Sequence, residues 1–440
     1  MTRFLHIADI HLGIKRYNLP DRTGDFFRAW YEVIERHAIG RRVDFVLIAG
    51  DFFDRRNVDP QAANHAMFVL RRLNEARIPV VVIEGNHDQH ESTSRHSWLR
   101  SFSQWRFVRL LEPAWSESGP RMQAWDEDEA TGSYVDIAGA RIFGSNWYGS
   151  TVSTALPLLG EATRQHRRAG ATNIMLLHSD VEGQLNRPVQ HAVSISKLVT
   201  MRDAVDYLAL GHTHKHFEIE GWAFNPGSLE ACSVEEADVE RGALYVEADG
   251  PAIKSEFLRA GEHYFQRPFK RIEHRISGSE DPETIRAEIL DALRREIDTT
   301  VEVEDEQKPI IELSLRGSLA FKNSLLQLNK LKEQAIEELR PLGLIINNKT
   351  IPKQLAVAMD LTRDAPRGER ELRVIEDLIK PDPRFHNRAA EIAAIVIEAK
   401  RMALENESAE RILALIEDKL FGPLEQEAEA AEAMRAEGAD

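Results

Sequence analysis

The sequence predicts a layered α/β fold, and three observations predict it. Between residues 4 and 214 a short apolar run recurs, and each run ends in a polar tip. The runs are near-continuously apolar rather than alternating, as in strands buried on both faces. Helical patterns at 25–37 and 61–75 lie between them, and alternation of strand and helix builds layers around a sheet.

In chain order, 4–8 runs into Asp9, 43–49 into Gly50-Asp51, and 80–83 into Glu84-Gly85-Asn86-His87-Asp88. Strands at 134–137 and 141–144 flank Gly139-Ala140, which reads as a hairpin turn. The run 174–177 ends at His178, and 207–210 at Gly211-His212-Thr213-His214. Strand tips of this kind are where α/β folds place chemistry. A second unit starts near Pro268 with a strand over 269–276. Asp281-Pro282 supplies an N-cap and a first helical residue, and Ile285, Ile289, Leu293 and Ile297 follow at a spacing of four. Ile311, Leu313 and Leu315 alternate with Glu312, Ser314 and Arg316, a half-buried strand; a helix over 322–339 and a strand over 342–346 complete a small α+β domain of split-βαβ kind. Residues 350–384, with Pro352, Pro366, Gly368, Pro381 and Pro383, read as a linker with one short helix at 369–378. Helices over 386–403 and 407–420 follow; Ile392, Ile395 and Val396 stripe the first, and Ile412, Leu415, Ile416 and Leu420 the second. Beyond Pro423 the tail is rich in Ala and Glu and is expected to fray. The expected divisions are 1–267, 268–349, 350–384 and 385–440.

Composition narrows the class. Of 440 residues 42% are hydrophobic and 29% charged, which excludes a fully disordered or fibrous chain. Cys232 is the single cysteine, so no intrachain disulfide forms and a reducing compartment is expected. No apolar run approaches the ~20 residues of a membrane span, and the start of the chain is too soon polar for a signal peptide. The expectation is a cytoplasmic protein with no membrane association. The net charge of −16 argues against nucleic acid when taken alone. The charge is uneven, however: residues 1–110 hold 17 Lys+Arg against 13 Asp+Glu, and the last twenty residues hold six acids and one base. Bound metal would add further positive charge.

The chemistry-bearing set is Asp9-x-His11, Gly50-Asp51-x-x-Asp54, Gly85-Asn86-His87-Asp88, His178 and Gly211-His212-x-His214, each at a strand end. One such His is ordinarily a loop residue, and Gly-Asp is a common turn. Five such elements in one order are not. Carboxylate, imidazole and amide oxygen together suit borderline divalent ions such as Mn, Fe or Zn. Two neighbouring ions need a shared carboxylate and about three further ligands each. Asp51 can be shared, and Asp9, His11, Asn86, His178, His212 and His214 supply the rest.

These residues match, without a gap, the calcineurin-like metallophosphoesterase signature D-x-H … G-D-x-x-D … G-N-H-D … H … G-H-x-H. Asp9-Ile-His11-Leu-Gly13, the stretch from Asp44 to Asp51, Ile83 to Asp88, and Asn225-Pro-Gly-Ser228 further resemble the DNA-repair nucleases of the meiotic-recombination-eleven and SbcD type. The resemblance implies a four-layer αββα sandwich, a small α+β capping domain and C-terminal helices. It implies two divalent ions, usually manganese, one on Asp9, His11, Asp51 and His214 and the other on Asp51, Asn86, His178 and His212. It makes His87 a catalytic group facing the scissile phosphate, with Asp54 as its hydrogen-bonded partner. It implies 3′→5′ exonuclease activity with possible endonuclease activity, a homodimer through helices near 61–75 and 91–107, and C-terminal helices that grip an SbcC-type coiled-coil ATPase.

Softer candidates surround this set. Lys15, Arg16, Tyr17, Arg55 and Arg56 can hold DNA backbone or can be solvated loop residues. Trp98 and Trp105 can stack bases, but their spacing also fits a packed helix face. His90 and His96 read as polar loop residues, His6 as a core histidine and Cys232 as inert. The competing reading is a phosphoesterase acting on a small molecule or phosphoprotein, because a metal core does not fix its substrate.

Overall fold

The computed structural model describes residues 1–90, 96–185, 191–297, 304, 307–352, 367–380, 382, 384–405 and 407–420. Part of the linker expected at 350–384, including Pro366, Pro381 and Pro383, lies outside the described residues, as do Glu91 and the acidic tail. The chain divides into two compact units, Met1–Lys270 with Glu302–Ile311 and Pro341–Ile345, and Arg271–Val301, Glu312–Arg340 and Ile346–Asp440.

The first unit contains, in chain order, β1 (Thr2–Ile7), α1 (Asp21–Val33), β2 (Phe45–Ala49), α2 (Pro60–Glu75), β3 (Val80–Ile83), α3 (Trp98–Gln104), β4 (Arg109–Leu110), β5 (Ala114–Ser116), β6 (Gly119–Arg121), β7 (Tyr134–Ile137), β8 (Ala140–Phe143), α4 (Val152–Gln165), β9 (Thr172–His178), α5 (Ile195–Leu198), β10 (Tyr207–Gly211), β11 (Phe217–Ile219), β12 (Ala223–Asn225), β13 (Gly242–Asp249) and β14 (Ala252–Arg259). One six-stranded sheet has the order β14-β13-β1-β2-β3-β4 and the other β11-β12-β10-β9-β8-β7. β1, β2, β3 and β4 run parallel, as do β8, β9, β10 and β12.

The apolar runs are explained by three separate cores. Phe4, Phe45 and Leu47 face Ile174, Leu176 and Ala209 between the sheets. Leu5, Ile7, Val46 and Ile48, on the other face of the same strands, pack on Trp30 of α1 and on Val69 and Leu70 of α2. Met175, Leu177 and Leu208 pack outward on Leu156 and Leu159 of α4. Three cores between four layers are the αββα sandwich.

Local chemistry sets the element ends. Asp59 caps α2 by accepting from the Ala62 N–H at 3.0 Å, with Pro60 at the first helical position. α1 begins earlier than the apolar period suggests and continues past Val33 as a π-helical turn over Ile34–Ile39. The β7–β8 turn lies at Ala138-Gly139, one residue before the expected position, because both residues adopt positive φ while Ala140 pairs with Ile137.

The second unit is built around α6 (Pro282–Glu296), α7 (Leu328–Leu339) and a sheet ordered β15 (Phe269–Ile276), β16 (Ile310–Leu319), β17 (Gly343–Asn348), with β18 (Ile351–Pro352) parallel to β16. Asp281 caps α6 as its sequence requires. The helix expected from 322 starts only at Leu328, because Gln327 takes a left-handed conformation after a 3-10 turn. α8 (Arg367–Ile379), α9 (Ala389–Leu404) and α10 (Ala409–Leu420) follow, and α9 packs against both α8 and α10. Ile392 and Ile395 are buried, but α10 buries no residue, and Leu413 and Leu404 stand exposed. No described helix is long and apolar enough to cross a membrane.

Candidate metal centre

Parallel strands bring their C-terminal tips to one edge, so Asp9 and His11 after β1, Asp51 after β2, Asn86 and His87 after β3, His178 ending β9, and His212 and His214 after β10 converge. Asp9, His11, Asp51 and His212 all have positive φ (52°, 49°, 50° and 87°). Such strain in non-glycine residues persists where the surroundings over-determine it, and it concentrates at functional sites. Two glycines make the approach possible. A Cβ on Gly50, itself at φ +89°, would lie 2.3 Å from His178 Nδ1, and one on Gly85 would lie 2.1 Å from Asp51 Oδ1.

Two imidazole pairs flank Asp51. His11 Nε2 lies 3.1 Å from His214 Nε2, and His178 Nε2 lies 3.2 Å from His212 Nδ1 and 3.1 Å from Asn86 Oδ1. Asp51 Oδ2 is 3.3 Å from His178 Nε2 and 3.9 Å from His11 Nε2. The other ring nitrogens are tied down. His178 Nδ1 donates to the Ala49 carbonyl at 2.7 Å, His212 Nε2 faces Asp180 at 3.3 Å, and His214 Nδ1 meets Glu236 at 3.0 Å. Anchoring one nitrogen aims the other, the usual outer-shell arrangement of metal-binding histidines. The Asp9 carboxylate also accepts the His212 backbone N–H, at 3.0 and 3.1 Å.

The donor atoms fit divalent ions. Atoms each about 2.1 Å from one ion, at angles near 90–110°, stand roughly 3.0–3.4 Å apart, which is the spacing within each pair. The charges are consistent. Burial alone would raise the Asp51 carboxyl, but His178, His11 and His87 outweigh it and hold Asp51 ionised. Burial would lower His178, but Asp51 and Asp9 raise it to about 9.

His87 stands apart from these pairs. Its ring lies 4.8 Å from that of His11, and its Nδ1 donates to the Asp54 backbone carbonyl at 2.7 Å, which leaves Nε2 free. The expected partnership with the Asp54 carboxylate is not formed. That carboxylate instead lies 3.6 Å from His11 Nδ1 and 3.4 Å from Arg55 Nε. The Asp54 main chain makes the hydrogen bond to His87, while its carboxylate lies within 4.8 Å of a His87 ring nitrogen.

The basic candidates are mostly engaged elsewhere. Lys15 pairs with Asp59 at 3.1 Å, and the Tyr17 hydroxyl accepts the Val234 N–H at 2.8 Å, with Arg16 over the Tyr17 ring. Arg55 and Arg56 are exposed. His6 is a core residue, bonded to Tyr207 and Leu210. His90 pairs with Glu84, and His96 meets Ser101. Trp98 packs on the first core, whereas Trp105 is exposed.

Five further residues have a structural part in the site, and all but Asp88, which lies within the Gly85–Asp88 motif, carry no signal in the sequence pattern alone. Asp88 is buried and accepts from the Phe52, Phe53 and Gly85 N–H groups, lacing the β2 tip to the β3 tip; burial and Asp51 push its carboxyl up. Asp180 and Glu236 anchor imidazoles, and Trp147 packs against His178 and His212. Cys232, read from the sequence as inert, lies at the site. Its thiol lies with ring nitrogens of His11 and His214 within 4.8 Å, and burial pushes it up to about 11.

A calcineurin-like phosphoesterase family model matches residues 2–216. The DNA double-strand break repair protein Mre11 of Archaeoglobus fulgidus is 31% identical over 242 residues, covering 53% of this chain and 52% of that protein. The Mre11 protein of Aeropyrum pernix is 27% identical over 327 residues, with 72% and 74% covered. That of Sulfurisphaera tokodaii is 27% identical over 433 residues, with 92% and 98% covered. The chain thus spans about half of the first of these relatives and nearly all of the third. Residues 2–216 are a calcineurin-like phosphoesterase domain, in a chain that resembles the Mre11 repair proteins along most of its length.

Proposed function

We propose that the chain is a two-metal-dependent DNA nuclease of DNA repair, a 3′→5′ exonuclease with endonuclease capacity. The observation that carries this reading is the pair of imidazole clusters sharing Asp51, with the unpaired Nε2 of His87 beside them. Asp9, His11, Asp51 and His214 would hold one ion and Asp51, Asn86, His178 and His212 the other; the donors suit Mn, Fe or Zn, and the resemblance to the repair nucleases implies manganese. When bound, such ions neutralise phosphate charge and make water nucleophilic near neutral pH. The protein's own part is positional. Ala49, Asp180 and Glu236 hold the rings in register, and Asp88 keeps the two tips together. His87 donates a proton from Nε2 to the leaving 3′ oxygen while its Nδ1 stays on the Asp54 carbonyl.

DNA is favoured over a small substrate by the name of the relatives, DNA double-strand break repair proteins, and by the second unit. The half-exposed stripe of α10 and the exposed Leu404 and Leu413 suit a helix-in-groove contact with an SbcC-type coiled-coil ATPase. Exposed Phe68 on α2, beside Phe27 and Tyr31, suits a homodimer through helices of the first unit. Arg55 and Arg56, exposed just after the β2 tip, suit contact with DNA backbone. With its single cysteine the protein suits the cytoplasm.

The test is manganese-dependent digestion of linear duplex and single-stranded DNA beside bis(p-nitrophenyl) phosphate. Degradation of both DNAs from 3′ ends is expected. Turnover of the small diester with DNA left intact would replace the nuclease reading with the small-substrate one.

A further inference from the structure

Trp147 belongs to none of the three cores, although its neighbour Tyr148 packs on the outer one. It follows β8 at the same edge of the sheet as His178, since β8 and β9 are parallel neighbours. Its ring lies 5.5 Å from the His178 ring and 5.0 Å from the His212 ring, tilted 48° to the latter. The indole is partly exposed, whereas His178 is buried. Its surroundings are built rather than loose. Trp115 Nε1 donates to Asn146 Oδ1 at 3.1 Å, and Trp115 meets Tyr148 edge-on at 5.6 Å. On the other side Gly149, at φ +51°, lies so close that a Cβ would touch the indole at 3.7–3.9 Å. A large ring with no core to fill is thus fixed against two of the proposed ligands.

We infer that Trp147 is a stacking platform for the nucleobase of the nucleotide being cleaved, so that the site selects an unpaired nucleotide over a bare phosphodiester. The inference rests on the nuclease reading and sharpens its substrate class. A phosphodiester bound at the site beside His178 and His212 carries its sugar and base within one nucleotide of the indole. An aromatic face accepts any base, which suits cleavage without sequence preference. A base on Trp147 has left its own stack, so a duplex end must open first, at a cost of a few kcal/mol.

The test uses the full chain with manganese and two single-stranded oligonucleotides, one carrying a normal base and one an abasic tetrahydrofuran residue at the cleaved position. The unaltered protein should cleave the first with kcat/KM higher by roughly tenfold, as base–aromatic stacking implies. Trp147→Ala should lose that preference and Trp147→Phe should keep most of it. Binding with calcium in place of manganese should quench a 2-aminopurine at that position in the unaltered protein and in Trp147→Phe, but not in Trp147→Ala. If Trp147→Ala slows both oligonucleotides by the same factor, the ring only props His178 and His212 and the platform is refuted. If the unaltered protein cuts both equally, the platform is likewise refuted while the nuclease reading stands. If it cuts neither, the nuclease reading fails and the platform with it.

Discussion

The two imidazole pairs have the same chemistry and different supports. His178 and His212 are aimed by the sheet itself, through the Ala49 carbonyl at the end of β2 and through Asp180, two residues beyond β9. His214, on the other side of Asp51, is aimed by Glu236, in a 3-10 turn over Val234–Glu236. That turn is held by one local bond and by long-range contacts to Tyr17 and Arg22. The Val234 N–H donates to Tyr17, the Cys232 N–H donates to Glu236 at 2.8 Å, and Arg22 donates to the Ala231 carbonyl. Behind it, Arg22, Asp25, Glu230 and Arg267 form a buried charge network: Arg22 meets Asp25 at 2.7 Å, and Arg267 meets Asp25 Oδ2 at 3.0 Å and gives its N–H to Glu230 at 2.8 Å. Removing one partner from such a network leaves an uncompensated charge and costs about 3–5 kcal/mol. One half of the site therefore comes with the fold, and the other depends on a loop whose supports are scattered through the sequence.

The substitution that should abolish this asymmetry is Asp51→Asn, because Asp51 touches both pairs. Loss of both ions and a fall in turnover of at least about a thousandfold are expected, since the charge stabilisation lost is several kcal/mol. Metal analysis after desalting checks it; retention of two ions per chain would remove Asp51 from its shared position. His87→Ala should come next, with turnover lowered by ~10²–10⁴ as for loss of a general acid. Metal content should stay near two, because His87 belongs to neither pair, and loss of one ion would make it a ligand.

The comparison is sharpened by altering one anchor at a time. Glu236→Gln should weaken a single ion by about 10–100-fold, on the His11/His214 side, and Asp180→Asn should do the same on the His178/His212 side. Titration with Co2+, followed by absorption, should show one weakened step in each variant and both in the double variant. Two weakened steps from Glu236→Gln alone would mean that the pairs do not have separate supports. Asp54→Ala should have a smaller effect, about tenfold in the same outer-shell range. Its carbonyl still holds His87, so the pH–rate profile should keep its basic limb. A lost basic limb would restore the carboxylate to the mechanism.

The ligands of both halves were legible in the sequence, and their anchors were not. The ligands were readable because strand tips announce themselves: an apolar run stops, and Gly, Asp, Asn or His follows. The layers followed for the same reason, since β1 and β2 must satisfy two cores at once. Glu236, Asp180 and Trp147 were not readable because nothing local distinguishes an acid or aromatic residue that meets a distant imidazole. Asp88 was quoted within its motif, but its part depends on backbone N–H groups of a different strand tip. The Asp54 hydrogen bond to His87 is made by the carbonyl instead of the carboxylate, since sequence gives side-chain identity and not which atom of the residue faces a neighbour. In the second unit the caps and alternation fixed α6 and β16, and the left-handed Gln327 moved the start of α7 because no glycine marks it.

His6 is the control for both pairs. It lies on β1, three residues before Asp9, yet both ring nitrogens are used by protein: Nε2 donates to the Leu210 carbonyl at 3.1 Å, so Nδ1 accepts from the Tyr207 hydroxyl at 2.9 Å. A neutral ring satisfies both bonds. Burial lowers His6 from 6.5 to about 3, the Leu210 carbonyl opposing and His216 adding to the fall. The unfolded chain therefore binds a proton at His6 that the folded chain does not. The stability this ring gives is complete above pH 6.5 and is lost progressively as pH falls toward 3. By pH 5 the loss is about 2 kcal/mol, at ~1.4 kcal/mol for each pH unit below 6.5. Urea unfolding in EDTA at pH 7 and pH 5 checks it. His6→Gln should be the less stable protein at pH 7, since an amide replaces the ring imperfectly, but it should lose about 2 kcal/mol less on acidification. Parallel losses in the two proteins would place the acid sensitivity in the other histidines that burial lowers, His37, His65 and His216, and leave His6 a packing residue.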